Sequence, residues 1–189
     1  PFDRFMELSL YAPGLGYYVN GRRRFGEGGD FVTAPELSPL FGSCIGNYCA
    51  AQLERLGDGD LLEFGAGSGR LALDVLRRLR ELDRLPRRYF ILELSPDLRR
   101  QQAETLNADA AGLAECVEWL DTLPDTGFRG VVLANELLDA MPVHRFRRND
   151  RAAWDELFVG YDGANFVDRW LPPRSPGLQA ALDAIWSHR

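Results

Sequence analysis

The stretch Leu61-Leu62-Glu63-Phe64-Gly65-Ala66-Gly67-Ser68-Gly69-Arg70 decides the fold of this chain. Its apolar first half predicts a buried parallel strand, and the apolar pattern that begins at Leu71 predicts a helix. Three alternating glycines join the two elements, and glycine allows both a tight turn and the close approach of a ligand to the backbone. The helix N-terminus adds free N–H groups and a partial positive charge. The stretch therefore predicts a site for a nucleotide-type cofactor.

The spacing of the glycines distinguishes two cofactors. A dinucleotide site needs the pattern G-x-G-x-x-G/A, in which the last small residue lets the helix pack closely on the strand. Arg70 stands at that position and is too large. The pattern here is G-x-G-x-G, preceded by Glu63, which is typical of class I methyltransferases that use S-adenosylmethionine (SAM). Glu63 suits the SAM amino group, and the glycine N–H groups suit its carboxylate; a plain strand-to-helix turn is the alternative.

A second predicted strand, residues 88–94, carries Glu93 close to its end, and Ser95 and Pro96 then begin a helix. A carboxylate at this position can accept hydrogen bonds from both ribose hydroxyls, as it does in NAD-binding folds. The alternative is an ordinary solvated acid at a strand end. Because Glu93 follows Gly69 by about one helix and one strand, we predict that it binds the ribose.

From residue 60 onward, predicted strands and helices alternate. The segments are 60–64, 70–82, 88–94, 96–107, 115–119 and 130–135. This alternation predicts an α/β fold with a doubly wound, mostly parallel sheet and a ligand at the carboxyl ends of the strands. Three later strands, 143–147, 154–161 and 165–171, predict an antiparallel elaboration of that sheet.

Two domains are expected. Residues 1–57 form an N-terminal extension of helices and loops, and its segment 11–42 is long for a connection without a function, so we expect it to cover the cofactor site. Residues 58–189 form the SAM-binding domain. Because the chain lacks an initiator Met and ends inside a helical pattern that starts at Ser175, we expect a truncated chain, incomplete at its C-terminus and poorly active.

The amino-acid composition limits the classes of binding partner and the cellular compartment that we expect. The net charge of −6 argues against general nucleic-acid binding, which depends on neutralising phosphates. No apolar stretch approaches the roughly 20 residues of a membrane span, and the three cysteines and two histidines form no zinc spacing, so no metal is expected. All 22 basic residues are arginine, which indicates a GC-rich genome. We expect a protein of the bacterial cytoplasm, with the mitochondrial matrix as the alternative.

Three further motifs make a family resemblance specific. They are YAPGLGYY at residues 11–18, GDFVTAPELSPLFG at 29–42 and VVLANELLDAMPV at 131–143. With the glycine turn, they closely resemble the MidA-like SAM-dependent methyltransferase family over residues 1 to 145. That family includes the mitochondrial arginine methyltransferase of respiratory complex I assembly. The resemblance implies a class I methyltransferase fold, SAM as cofactor and a cationic, arginine-bearing protein as substrate.

The resemblance also assigns roles to individual residues. The first SAM motif is matched by Glu63, Gly65, Gly67 and Gly69, and the ribose-binding acid by Glu93. Contacts to adenine are implied after the third strand, at Trp119, Leu120 and Asp121. Asn135 follows the fourth strand, beside the methionine moiety. Asp30, Thr33 and Glu36 are implied as polar contacts of a segment that closes over the cofactor; a capping box between Thr33 and Glu36 is the alternative.

Two carboxylates are the catalytic candidates. An arginine nitrogen must lose a proton at or after attack although its pKa lies above about 12, and a carboxylate can orient the planar guanidinium and localise its charge. Glu136 is the first candidate and Asp139 the second, sharing a face if the stretch is helical. The alternative for both is a first-turn acid favoured by the helix dipole. We interpret His144 as structural rather than as a general base.

Three other functions compete with protein methylation. An assembly factor could bind a partner and keep SAM as a structural ligand, although the intact motif residues argue against a dead site. A SAM enzyme could act on a small molecule, since this scaffold hosts many acceptors. A NAD(P)-dependent oxidoreductase is disfavoured by Arg70.

Overall fold

The computed structural model of the chain describes residues 1–20, 32–108, 112–124 and 127–187. The helices are α1 (Phe2–Tyr11), α2 (Ala34–Leu37), α3 (Pro39–Leu56), α4 (Arg70–Glu81), α5 (Pro96–Asn107) and α6 (Leu178–Trp186). The strands are β1 (Asp60–Phe64), β2 (Tyr89–Leu92), β3 (Val117–Leu120), β4 (Gly130–Leu133), β5 (Phe146–Arg148), β6 (Trp154–Tyr161) and β7 (Phe166–Leu171). Within the described ranges, none of these helices is long and apolar enough to cross a bilayer.

The first four strands form one parallel sheet in the order β3-β2-β1-β4. The chain first moves outward from β1 through β2 to β3, and then returns to place β4 on the other side of β1. A ligand in an open parallel sheet binds beyond the carboxyl ends of the strands, at the point where the strand order reverses. In this sheet that point lies between β1 and β4, beside the glycine turn. The predicted parallel α/β sheet is confirmed.

One face of this sheet packs against α3, α4 and α5. Alternate strand residues such as Leu61, Tyr89 and Ile91 are fully buried in this core. Helix α4 buries its apolar side there, and α3 lies against α4, where Gly42 leaves room for the side chain of Asp74. Burial of this apolar surface, at about 25 cal/mol per Å², is the main stabilising contribution to the site above it.

The chain forms two compact units, which differ from the expected domains. The first comprises Tyr18–Asp139, and the second combines Pro1–Tyr17 with Ala140–Arg189. The boundary expected at residue 57 therefore does not coincide with the division of contacts. Helix α3, assigned to the extension, packs in the same core as the parallel sheet because its buried face, including Cys49 and Leu53, contacts α4.

The expectation that the later strands extend the parallel sheet is wrong. Strands β5, β6 and β7 form a separate antiparallel sheet in the order β5-β6-β7. Short hairpins connect them, and the turn at Asp162 is closed by hydrogen bonds from the N–H groups of Ala164 and Asn165 to its carboxylate. Hairpins of this kind pair neighbouring strands with each other, so they need no partner in another sheet.

The second unit has its own small core and a buried acid. Trp154 packs edge-on against Trp186 of α6, with ring centroids 4.8 Å apart. Fully buried Glu156 accepts hydrogen bonds from Ser175, which explains why α6 begins at Leu178 and not at the predicted Ser175.

A histidine in the same unit links α1 to β6. His144 Nδ1 lies 3.5 Å from Asp3 Oδ1 and 3.4 Å from Glu156 Oε1. The three ligand atoms lie within 4.8 Å of one another, a spacing that a metal ion could also bridge. The interpretation of His144 as a structural residue agrees with this placement between two carboxylates.

The pairing of β1 with β4 gives a test of the sheet. A Cβ added at Gly130 would overlap the carbonyl oxygen of its partner Asp60. We expect Gly130→Ala to lower the free energy of unfolding by about 2–3 kcal/mol, since β4 must move away from its neighbour β1. Urea unfolding measures this change. Gly127→Ala is the matched control, because a Cβ there meets open space; equal losses in both variants would contradict the register.

Candidate cofactor site

The glycine turn joins the end of β1 to the start of α4 in a backbone shape that favours glycine. Gly65, Gly67 and Gly69 have φ angles of 61°, 54° and 82°, in the left-handed region that side chains disfavour. The N–H of Gly65 donates to the carbonyl of Leu92 at 3.0 Å, which ties the turn to the end of β2. Within the described part of the chain, the N–H groups of Gly67 and Ser68 have no hydrogen-bond partner. They are available to an anionic group such as a carboxylate.

Glu93 lies directly after β2, beside this turn, and is buried. Its Oε1 accepts the N–H of Ser95 at 2.9 Å, and its Oε2 accepts the side-chain amide of Gln102 at 3.0 Å. Burial raises the pKa of Glu93, and the hydrogen bonds from Ser95, Gln102 and the backbone of Leu94 oppose that rise, as does the charge of Arg99. A carboxylate has about four lone-pair sites, so these three donors leave it able to accept a further hydrogen bond. A rigid carboxylate of this kind fits a hydroxyl donor such as that of a ribose.

Glu63 occupies a different environment from the one that the sequence predicts. It lies on β1 with its side chain buried on the helix-covered face of the sheet, where Oε2 accepts the hydroxyl of Tyr89 at 2.7 Å. Burial raises the pKa of Glu63 to about 7; the Tyr89 hydrogen bond opposes the rise and the nearby Glu93 adds to it. Contact between Glu63 and the amino group of SAM stays a prediction.

The segment before α3 reaches the glycine turn. Glu36, on the short helix α2, accepts a hydrogen bond from the hydroxyl of Ser68. Thr33 is the N-cap of α2, but its side chain makes no capping hydrogen bond, so the alternative interpretation of Thr33 and Glu36 as a capping box is wrong. The Glu36 side chain binds Ser68 instead of returning to Thr33. This contact places one of the predicted polar residues against the turn, while Asp30 lies outside the described residues.

The predicted adenine residues lie around the end of β3. Trp119 and Leu120 belong to the strand itself, and only Asp121 follows it, which corrects the expected strand end by one residue. Arg99 of α5 donates to the carbonyl of Leu120 at 2.6 Å and to the carboxylate of Asp121 at 2.7 Å. These bonds fix the position of β3 relative to α5. Contact of these residues with adenine stays a prediction.

The residues after β4 lie beside the glycine turn. A Cβ on Gly65 would come within 3.3 Å of Leu137 Cδ1, so Leu137 lies beside the turn. Asn135 and Glu136 directly precede it in the chain. Glu136 has a φ of 52°, and a non-glycine residue in the left-handed region costs about 1–3 kcal/mol. Its side chain is exposed.

The catalytic candidates do not share a helical face. Asp139 lies in a short 3₁₀ turn, Leu138–Ala140, and the positive φ of Glu136 interrupts any regular helix before it. The condition under which the two carboxylates would share a face, a helical stretch after β4, is therefore not met between residues 134 and 140. Glu136 remains nearer in sequence to Leu137, the residue in contact range of the turn.

Sequence reasoning missed the contribution of α5. Arg99, Gln102 and Thr105 recur every third residue and bind groups at the ends of the sheet: Thr105 donates to the carbonyl of Ser68 at 2.8 Å. The spacing places the three on one side of a helix, which is the only sequence signal for them. Their partners could not be found that way, since they come from three other elements.

Comparisons with known proteins give the family. A family model described as "Putative S-adenosyl-L-methionine-dependent methyltransferase" matches residues 44–188. The chain belongs to this methyltransferase family. The match begins within α3 and includes the glycine turn and Glu93.

Individual proteins with similar sequences and structures extend the comparison. The zebrafish mitochondrial protein arginine methyltransferase NDUFAF7 is 32% identical over 98% of this chain and 46% of its own length. The human protein of the same name is 31% identical over 84% of this chain and 41% of its length. A crystal structure of a COG1565 superfamily member from Burkholderia thailandensis, bound to S-adenosyl-homocysteine (SAH), is 46% identical with a TM-score of 0.85; the match covers 98% of this chain and 49% of that one. The chain spans about half the length of these relatives.

The buried Glu63 predicts an unusual dependence of stability on pH. Its folded pKa of about 7 lies above the ordinary 4.5, so the folded state holds the proton more tightly than the unfolded state. The contribution of Glu63 to the free energy of unfolding is therefore fully present below about pH 4.5. It is lost as the pH rises to about 7, a loss of about 3 kcal/mol. We expect Glu63→Gln to remove this loss.

Urea unfolding at a series of pH values measures the effect as a difference in slope. Glu104→Gln, an exposed glutamate of α5, is the matched control and should retain the wild-type slope. If the free energy of unfolding depends on pH in the same way in Glu63→Gln and in the wild type, ionisation of Glu63 costs the folded state nothing, which would contradict the prediction.

Proposed function

We propose that this methyltransferase family member binds SAM at the carboxyl end of the parallel sheet and transfers its methyl group to an arginine side chain of a protein. The observation that carries the proposal is the convergence at one point of the glycine turn and the buried, hydrogen-bonded Glu93. The two features lie on neighbouring strands, β1 and β2, next to the reversal of strand order.

The available groups match the parts of SAM. Free N–H groups at Gly67 and Ser68 suit its carboxylate, and the remaining acceptor capacity of the Glu93 carboxylate suits its ribose. The close packing around the turn excludes bulky substituents, since a Cβ at Gly69 would lie 3.0 Å from the backbone of Gln102. When bound, SAM supplies an electrophilic methyl carbon on a sulfonium. The task of the chain is then to hold an acceptor in line with it, which accounts for most of the catalysis of such displacements.

Glu136 is the residue we propose to orient the acceptor. It is an exposed carboxylate after β4, beside the turn, held in a strained backbone conformation. Such strain persists only where surrounding structure fixes it, and it concentrates at functional sites. A carboxylate there can bind a guanidinium through two hydrogen bonds and accept the proton that the attacking nitrogen releases as its N–CH₃ bond forms. Asp139 is the second candidate.

The arginine specificity and its biological setting rest on the relatives. NDUFAF7 proteins are named as mitochondrial protein arginine methyltransferases, and the net charge of −6 suits a cationic acceptor. The resemblance to the MidA-like family supports a role in assembling a respiratory complex. The arginine-rich, lysine-free composition supports a bacterial cytoplasmic setting over a mitochondrial matrix.

A transfer assay tests the activity and the acceptor together. The chain is incubated with methyl-labelled SAM and a set of arginine-bearing peptides, and with the same peptides carrying lysine at each arginine position. We expect labelled methylarginine from the first set only. Label on the lysine set would contradict arginine specificity, and no label with either set would favour an assembly factor that keeps SAM as a structural ligand.

Replacement of the acceptor-orienting carboxylate gives the matching mutational prediction. We expect Glu136→Gln to lower the rate of transfer about 100-fold or more, the range for loss of a positioned acid–base group, with the affinity for SAH unchanged. Glu104→Gln is the matched control and should transfer at the wild-type rate. A wild-type rate in Glu136→Gln would remove Glu136 from the mechanism.

A further inference from the structure

Gln102 is a polar side chain in the middle of α5 with no exposed surface. A buried amide costs free energy unless its donors and acceptor are paired. Its position suggests a role beyond packing, because the helix lies against the glycine turn: a Cβ on Gly69 would lie 3.0 Å from Gln102 Cα.

The amide of Gln102 is paired in all three directions. Its Nε2 donates to the carbonyl of Gly67 at 3.1 Å and to Glu93 Oε2 at 3.0 Å, while its Oε1 accepts the indole N–H of Trp119 at 2.9 Å. The partners also determine its orientation. A carbonyl can only accept and an indole N–H can only donate, so the flipped amide would lose all three bonds.

The three partners come from three elements of the predicted cofactor site. Gly67 belongs to the turn after β1, Glu93 follows β2, and Trp119 lies on β3. We propose that Gln102 is the positioning residue of the SAM site, holding the glycine turn, the ribose-binding carboxylate and the end of β3 in one fixed arrangement. This inference rests on the proposed function and adds a residue to the site without direct cofactor contact.

The role of Gln102 at Glu93 is the most specific part of the proposal. With Ser95 on one oxygen and Gln102 on the other, the carboxylate plane is fixed and its remaining acceptor sites point in set directions. Loss of the Gln102 donor leaves Oε2 of this buried carboxylate without that hydrogen bond. The carboxylate can then rotate, and its affinity for a ribose falls.

The test is Gln102→Glu, which preserves the shape but replaces the donor with a second carboxylate beside Glu93. At about pH 8 the two acids repel, and we expect SAH to bind about 10- to 100-fold more weakly than to the wild type, the effect of losing a hydrogen bond to a charged group. At about pH 5.5 a proton shared by the pair restores a donor, and most of the affinity should return.

Gln101→Glu makes the same charge change one position away on α5 and is the matched control. We expect it to bind SAH like the wild type at both pH values. Calorimetric titration with SAH gives the affinities, and thermal unfolding shows that each variant is folded.

Each outcome of this experiment decides the proposal. Weak binding at about pH 8 that recovers at about pH 5.5, in Gln102→Glu alone, supports it. Wild-type affinity in Gln102→Glu, or an equal loss at both pH values in a folded protein, overturns it, since neither reflects a donor to Glu93. If Gln102→Glu does not fold, Gln102→Met carries the test: weakened binding at both pH values supports the proposal, and unchanged binding overturns it.

Binding of SAH by the wild type distinguishes a failure of this inference from a failure of the proposed function. If the wild type binds SAH and the Gln102 variants bind it equally well, only the positioning role fails. If the wild type itself binds no SAH, the cofactor site fails, and the inference falls with it.

Discussion

Helix α5 packs against the glycine turn so closely that any side chain at Gly69 would press on the backbone of Gln102. This contact depends on glycine at the start of α4 and on a helix that begins right after Glu93. It brings the ends of β1, β2 and β3 within reach of one helical face. The site is therefore built by the packing of backbone on backbone, and the polar side chains of α5 then connect strand ends that the sheet already places side by side.

Carboxylates near this point are distinguished by their surroundings. Glu93 accepts hydrogen bonds from Ser95, Gln102 and the backbone of Leu94, whereas Glu63 is buried against Tyr89, where burial favours its protonated form. Glu136 is exposed and lies in a strained backbone conformation. Binding of the ribose by Glu93, of the SAM amino group by Glu63 and of the acceptor by Glu136 stays a prediction in each case. Motif matching treats all three only as acidic residues.

The sequence predicts the parallel sheet and the glycine turn well, because both follow from local patterns: apolar runs of strand length, and alternating glycines before a helical repeat. The bounds of β1 and β6 are as predicted. The sequence does not predict that β5, β6 and β7 form a separate sheet, because local patterns do not say which strands pair. Glu36 shows the same limit: its spacing from Thr33 suits a capping box, but a tertiary partner, Ser68, competes successfully for its carboxylate.

The most direct test of the central claim is a calorimetric titration of the chain with SAH, SAM and NAD. The account predicts that both adenosyl ligands bind in the micromolar range and that NAD gives no response. This result is expected of a turn that offers its N–H groups to a carboxylate and of a buried acid, Glu93, that accepts a hydrogen bond from a ribose. Binding of NAD, or of none of the three ligands, would contradict a SAM site at the carboxyl end of this sheet.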